Sequence, residues 1–187
     1  MIQQEKIGFL FPTMLSGLKC KNLYDCALEV RKVNGEFWDC GCHSGGSAAA
    51  MKLAAPEKPI RLFDSFEGLP PSSVQDLNNE PGRFAIPFDE NLWVLGPVHA
   101  GWIPETFKGL EESKISLAHI DLDLYQGTKD ALEFIAPRIV PGGFIVIDDY
   151  GSTGWSGVTK AVNELSNDDF VVAKRVAEQI TLKRRIE

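Results

Sequence analysis

Two apolar runs in this chain each end in paired acids, and that pattern most narrows what it can fold into. One run is Ala118-His119-Ile120-Asp121-Leu122-Asp123; the other is Gly143-Phe144-Ile145-Val146-Ile147-Asp148-Asp149-Tyr150. Both read as buried β-strands, and delivering two carboxylates at the end of a buried strand is costly unless they bind something. In open parallel α/β sheets the carboxyl ends of the strands are where ligands sit. Acids converging there suit a hard cation such as Mg²⁺, which takes oxygen ligands.

The remaining patterning supports such a sheet. Spacing predicts helices over 22–33, 47–53, 104–110, 128–136 and 157–165. Strands are expected over 36–40, 60–63, 92–95, 115–120, 144–147, 170–175 and 179–184. Asn22 with Asp25, and Thr128, are the expected N-terminal caps of their helices. Strands alternate with helices until the last two, which follow one another closely. The fold class expected is α/β, a doubly wound, Rossmann-like, mostly parallel sheet closed by a hairpin. A chain of 187 residues with no repeat or linker reads as a single domain, 1–187, opened by a short helical segment over 1–35. Pro70, Pro71, Pro81, Gly82 and Pro87 break the pattern within 66–102, the expected lid and substrate region.

The net charge of −7 disfavours nucleic-acid and anionic-membrane partners. No signal-peptide core or transmembrane run is visible, and a cytoplasmic location is expected. Cys20, Cys26, Cys40 and Cys42 should then be reduced. Cys40-Gly41-Cys42 lacks the usual spacing of a zinc site, so core packing is the reading for this group.

The first strand-to-helix turn, Gly41-Cys42-His43-Ser44-Gly45-Gly46-Ser47, lets backbone approach a ligand and offers a helix N-terminus to anionic groups. Its spacing is not that of a dinucleotide fingerprint. Asp64, about 20 residues on, stands where an acid can bond a ribose hydroxyl pair; a loop-capping Asp is the alternative. Among the four acids, strand alternation forbids all from facing one point equally, and at least one should not touch metal. Unpaired, such acids repel and their pKa values should rise. His99 is a candidate substrate-side base, His43 a cofactor-side contact and His119 a core group. Trp93, Trp102 and Trp155 could stack on a ring. Lys183-Arg184-Arg185 reads as a solvated edge strand.

Four blocks carry a family resemblance: 63–70, 101–106, 119–125 and 141–151. In order and content they resemble the macrocin O-methyltransferase family, enzymes of natural-product biosynthesis that use S-adenosyl-L-methionine and Mg²⁺ to methylate sugar hydroxyls. The resemblance implies a class I methyltransferase sheet with an antiparallel final strand. It implies Asp121, Asp148 and Asp149 as metal ligands and Asp123 as catalytic base. Gly41, Cys42, Gly45, Ser47, Asp64 and Ser65 would lie along the methyl donor, with Asp64 on its ribose. The glycine turn departs from the family, which more often has an aromatic or basic residue before Gly-Gly. The segment before the first strand is short, where family members acting on large glycosides usually carry a longer N-terminal region. That counts against a macrolide-sized acceptor and leaves open whether the site is smaller or more open. The expected partner is a small-molecule hydroxyl acceptor, with its identity and the oligomeric state left open, a homo-oligomer included. A catechol-type O-methyltransferase and a catalytically silent nucleotide- or metal-binding domain are the alternatives.

Overall fold

The computed structural model describes residues 11–71, 73–76, 79–165 and 168–186. Residues 1–10 of the expected N-terminal segment and 72, 77 and 78 of the expected lid lie outside them. The chain runs through helix α1 (Gly17–Val30), strand β1 (Glu36–Cys40), helix α2 (Gly46–Ala54) and strand β2 (Ile60–Asp64). Strand β3 (Val98–Ala100), strand β4 (Ile115–Ile120), helix α3 (Tyr125–Ile135) and strand β5 (Ile139–Ile147) follow. Helix α4 (Ser156–Glu164) leads to strands β6 (Phe170–Val176) and β7 (Gln179–Arg184).

The strands form one sheet in the order β3-β2-β1-β4-β5-β7-β6. All neighbours are parallel up to β5, and β7 is antiparallel to both β5 and β6. The order reverses at β1, where the chain first winds out to β3 and then returns to β4. That reversal opens a crevice at the carboxyl ends of β1 and β4.

The side-chain period of two sends successive residues of each central strand to opposite faces. Phe37, Leu62, Leu117, Phe144 and Val146 pack with Leu23, Cys26 and Ala27 of α1 and Ala48 and Met51 of α2. Trp38, Phe63, Ala118, Ile120, Ile145 and Ile147 pack on the other face with Ala131 and Leu132 of α3 and Val158 of α4. The near-continuous apolar strands are thus explained by burial on both faces.

Several expected boundaries shift for identifiable reasons. Helix α1 starts at Gly17, not Asn22, because the Ser16 hydroxyl accepts from the Lys19 amide. Asn22 is instead buried, its amide donating to Gln179 and Thr181 of β7. Helix α3 starts at Tyr125 because Asp76 Oδ1, 49 positions earlier, accepts the Tyr125 amide at 2.9 Å. Thr128, the expected cap, is buried inside that helix. The segment expected as a strand over 92–95 is part of a 3₁₀ turn, Glu90–Val94, whose N-terminus is capped by Asp89. The apolar run misleads there because Leu92 is buried while Trp93 and Val94 stand exposed. The helix expected over 104–110 is a single 3₁₀ turn, Glu105–Phe107. Strand β3, only three residues long, was not expected. Lys183 and Arg184 are not on an edge: β7 is inserted between β5 and β6, and Lys183 pairs with Glu29 of α1 at 2.9 Å. Among the described residues no helix is long and apolar enough to cross a membrane.

Candidate active site

The register of β4 and β5 pairs Ile120 with Ile147, so Asp121 and Asp148 leave the sheet side by side. The Asp148 amide donates to the Ile120 carbonyl and the Asp121 amide to the Cys40 carbonyl, each at 2.9 Å. Both chains then turn. Asp123 and Asp149 have φ of 59° and 60°, in the left-handed region that non-glycine residues seldom enter. Those turns bring the acids back together. Carboxylate oxygens of Asp121, Asp123 and Asp149 lie within 4.8 Å of one another. A second group overlaps it, with a ring nitrogen of His119 and oxygens of Asp121 and Asp148 within the same span. The four acids therefore form two sets sharing Asp121, in keeping with strand alternation.

Burial and mutual repulsion dominate the electrostatics. Burial, then the neighbouring Asp148, drives the Asp121 carboxyl well above its ordinary range. Burial, then Asp149 and Asp148, raises Asp123 to about 7, with Arg83 opposing. Asp149 is held at about 6 by burial and Asp148, against the pull of Lys19. Acids this reluctant to ionise together are a cluster short of positive charge. The oxygens of Asp121, Asp123 and Asp149, within one ion's reach of one another, suit a hard divalent cation, while Asp148 meets Asp121 in the other group, beside His119.

Two basic side chains sit beside the cluster. Lys19 Nζ, from α1, lies 2.7 Å from Asp148 Oδ1 and 3.5 Å from Asp149 Oδ1. Burial lowers its pKa, but the bond and charges of these acids outweigh that and raise it. His119 is fully buried, with Nδ1 2.8 Å from Asp39 Oδ1. Its burial disfavours the charged ring, yet Asp39 first, then Asp121 and Asp148, lift it to about 9.

A cavity of about 520 Å³ opens over these groups. All four acids line it, together with Gly41, His43, Asp64 and Ser65 from the first two strand ends. Met14, Leu15 and Lys19 close one wall, and Phe84, Trp102 and Ile103 give it apolar surface. Gly41 has φ of 85°, and a Cβ there would lie 1.8 Å from the Asp121 carbonyl oxygen. Only glycine lets the turn pass this close to the first acid. Asp64 Oδ2 accepts the His43 amide at 2.7 Å and Oδ1 the Phe66 amide at 2.8 Å. It does cap its loop, and it also faces the cavity.

The structure does not bring every expected donor-side residue to the cavity wall. Cys42 is buried in the core. Gly45 is the N-cap of α2 with φ of 83°, and a Cβ there would meet Leu92. The Ser47 hydroxyl donates to Asp39 Oδ2 at 2.6 Å, bracing the buried pair with His119. These three shape the turn from behind. His99 lies outside the cavity: its ring stacks on Phe63 and Nε2 stands 3.5 Å from Arg61. His43 lines the cavity, with Nδ1 2.9 Å from the Ser44 hydroxyl. Trp102 reaches the cavity, whereas Trp155 packs with Phe84 and Arg83, and Trp93 is exposed beside Phe88. All four cysteines are free thiols, three of them buried. Lys19 and Arg83 carried no motif and were missed; their places depend on contacts far along the chain.

This sheet order, with an antiparallel strand inserted before the edge and an acidic crevice at the reversal, is the class I methyltransferase fold. The structure of the O-methyltransferase NovP superposes with a TM-score of 0.79 at 21% identity, covering 93% of this chain and 82% of that one. Residues 96–181 match the model of the macrocin O-methyltransferase (TylF) family, a span that holds three of the four sequence blocks, 101–106, 119–125 and 141–151, so the resemblance is borne out over that span. A Streptomyces olivaceus relative, 8-demethyl-8-(2,3-dimethoxy-alpha-L-rhamnosyl)-tetracenomycin-C 4'-O-methyltransferase, is 30% identical over 162 residues, 74% of this chain. The mycinamicin III 3''-O-methyltransferase of Micromonospora griseorubida is 23% identical over 169 residues, also 74% of this chain. The chain spans 62% and 65% of the lengths of these two relatives.

Proposed function

We propose that this chain transfers a methyl group from S-adenosyl-L-methionine to a hydroxyl oxygen of a small sugar-like or other polyol acceptor, in a Mg²⁺-dependent reaction. The observation that carries the reading is the shared cavity: the paired acids of β4 and β5 open into the same space as Gly41 and Asp64. The printed names of the relatives, O-methyltransferases of a rhamnosyl-tetracenomycin and of mycinamicin III, support an acceptor in natural-product biosynthesis.

Asp121, Asp148 and Asp149 would hold the metal. When bound, Mg²⁺ supplies Lewis acidity that lowers the pKa of an acceptor hydroxyl and orients it. Gly41 lets the donor approach the strand ends, and Asp64 Oδ1 and Oδ2 each keep a lone pair for a ribose hydroxyl after accepting one amide. Asp123, raised to about 7, is matched to take the hydroxyl proton near neutral pH. The oxygen then accepts the methyl as the sulfonium–carbon bond breaks, leaving S-adenosylhomocysteine. Phe66 to Trp102 would cover the reactants and select the acceptor.

Phe84 and Trp102 on the cavity favour a second reading, in which the acceptor is a planar catechol-type diol. A labelled-methyl screen of sugar nucleotides, glycosides and catechols, with Mg²⁺ and with EDTA, tests both. Label entering sugar hydroxyls only with Mg²⁺ supports the first reading, and label entering catechols supports the second. Donor binding with no transfer to any acceptor marks a silent binding domain instead.

A further inference from the structure

Lys19 is the structural feature that the proposed reaction leaves unexplained. Its ammonium sits 2.7 Å from Asp148 and 3.5 Å from Asp149, on two of the carboxylates assigned to the metal. It also stands 3.9 Å from Glu178, in the exposed turn between β6 and β7. The inner contacts are largely shielded, since the Lys19 side chain is 13% exposed, whereas Glu178 is 54% exposed at the rim.

The helix carrying Lys19 is fixed. Leu23, Cys26 and Ala27 are fully buried, the Asn22 amide is bonded to Gln179 and Thr181, and Glu29 pairs with Lys183. What can move is the four-carbon stem of the lysine, a flexible arm bearing a point charge. One ammonium and one divalent ion cannot share the same carboxylate oxygens at contact distance without strong repulsion.

We propose that Lys19 is the resident cation of the acid cluster, and that it exchanges Asp148 and Asp149 for Glu178 when a divalent ion binds. Metal occupancy is then set by competition with a side chain of the protein itself, which stabilises the acids when the ion is absent. This rests on the metal assignment proposed above.

The test uses the full chain and Mg²⁺ alone. Lysine acylation of the wild-type protein, read by mass spectrometry, should rise several-fold at Lys19 on saturation with Mg²⁺. Lys21, 68% exposed on the same helix, serves as the control and should not change. In calorimetric titration Lys19→Met should bind Mg²⁺ about tenfold more tightly than wild type, the scale of removing a partly buried competing charge. Mg²⁺ binding with unchanged Lys19 labelling, or with equal affinity in the two proteins, overturns the exchange while leaving the metal site standing. No Mg²⁺ binding by either protein removes the metal assignment and the exchange with it.

Discussion

His119 Nδ1 lies 2.8 Å from Asp39 Oδ1, and both side chains are fully buried directly behind the acid cluster. Asp39 takes its second bond from Ser47 on α2, so the pair ties the glycine turn to β4. Removing one partner of such a pair leaves a buried charge uncompensated, which costs about 3–5 kcal/mol. His119→Leu is therefore expected to lose about that much stability in urea denaturation. A loss under about 1 kcal/mol would show that the pair has no structural part.

The closeness of Gly41 to Asp121 makes a sharp steric test. A Cβ would lie 1.8 Å from a backbone oxygen, and backbone cannot swing aside as a side chain can. Gly41→Ala should therefore displace the end of β4, weakening donor and metal binding together and lowering stability by about 2 kcal/mol or more. Unchanged affinities for both would contradict the assigned geometry.

Asp123 stands apart from the other acids in what its loss should do. Asp123→Asn is expected to lower the methyl-transfer step by about 10²-fold or more in single-turnover kinetics while Mg²⁺ remains bound. It should also relieve repulsion from Asp149 and Asp148 and raise metal-free stability by about 1–3 kcal/mol. Thermal denaturation in EDTA checks the second effect. A normal single-turnover rate would remove Asp123 as the base.

The pH dependence of the metal-free protein has a definite direction. His119 at about 9 keeps, in the folded state, a proton that the unfolded chain loses near 6.5. Its contribution is full below pH 6.5 and is lost as pH rises through 9. Asp123 at about 7 and Asp149 at about 6 hold folded-state protons that the unfolded chain sheds near 3.8, so their effect on stability also declines with rising pH. Stability in EDTA should fall between pH 5 and 9, and Mg²⁺ affinity should rise through pH 6–7 as these protons leave. A flat stability profile in EDTA would contradict the charge balance described.

Asp76, in the segment proposed as a lid, accepts the Tyr125 amide at the start of α3 at 2.9 Å. The same Asp76 oxygen lies where a Cβ on Gly157 would fall, at 2.0 Å, so Gly157 makes room for it. Asp76→Ala should cost about 1 kcal/mol as a lost helix cap. It should also raise KM for the acceptor more than for the donor. Equal effects on both would argue against an acceptor-side lid.

The alternation of strands and helices, and the two acidic strand ends, were legible because both are local patterns. The metal and base assignments among the acids came from the family resemblance. The left-handed turns at Asp123 and Asp149 were not legible, since they depend on where the chain goes next. Neither was the cap of α3, supplied by Asp76 from 49 positions earlier, nor the seat of Lys19, set by the docking of α1 on β7 through Asn22. Cys42, Gly45 and Ser47 belonged to a readable glycine turn, but which of its side chains face the cavity is a tertiary fact. His99 reads as an available base because its stacking on Phe63 depends on a strand too short to recognise.

The central claim is that Asp121, Asp148 and Asp149 hold a divalent ion. Anomalous diffraction from a crystal grown with Mn²⁺ locates the ion directly. The expected result is a single strong peak bonded to carboxylate oxygens of these three residues, with Lys19 turned toward Glu178. A fully Mn²⁺-loaded crystal with no peak among these acids, and Lys19 still on Asp148, would contradict it.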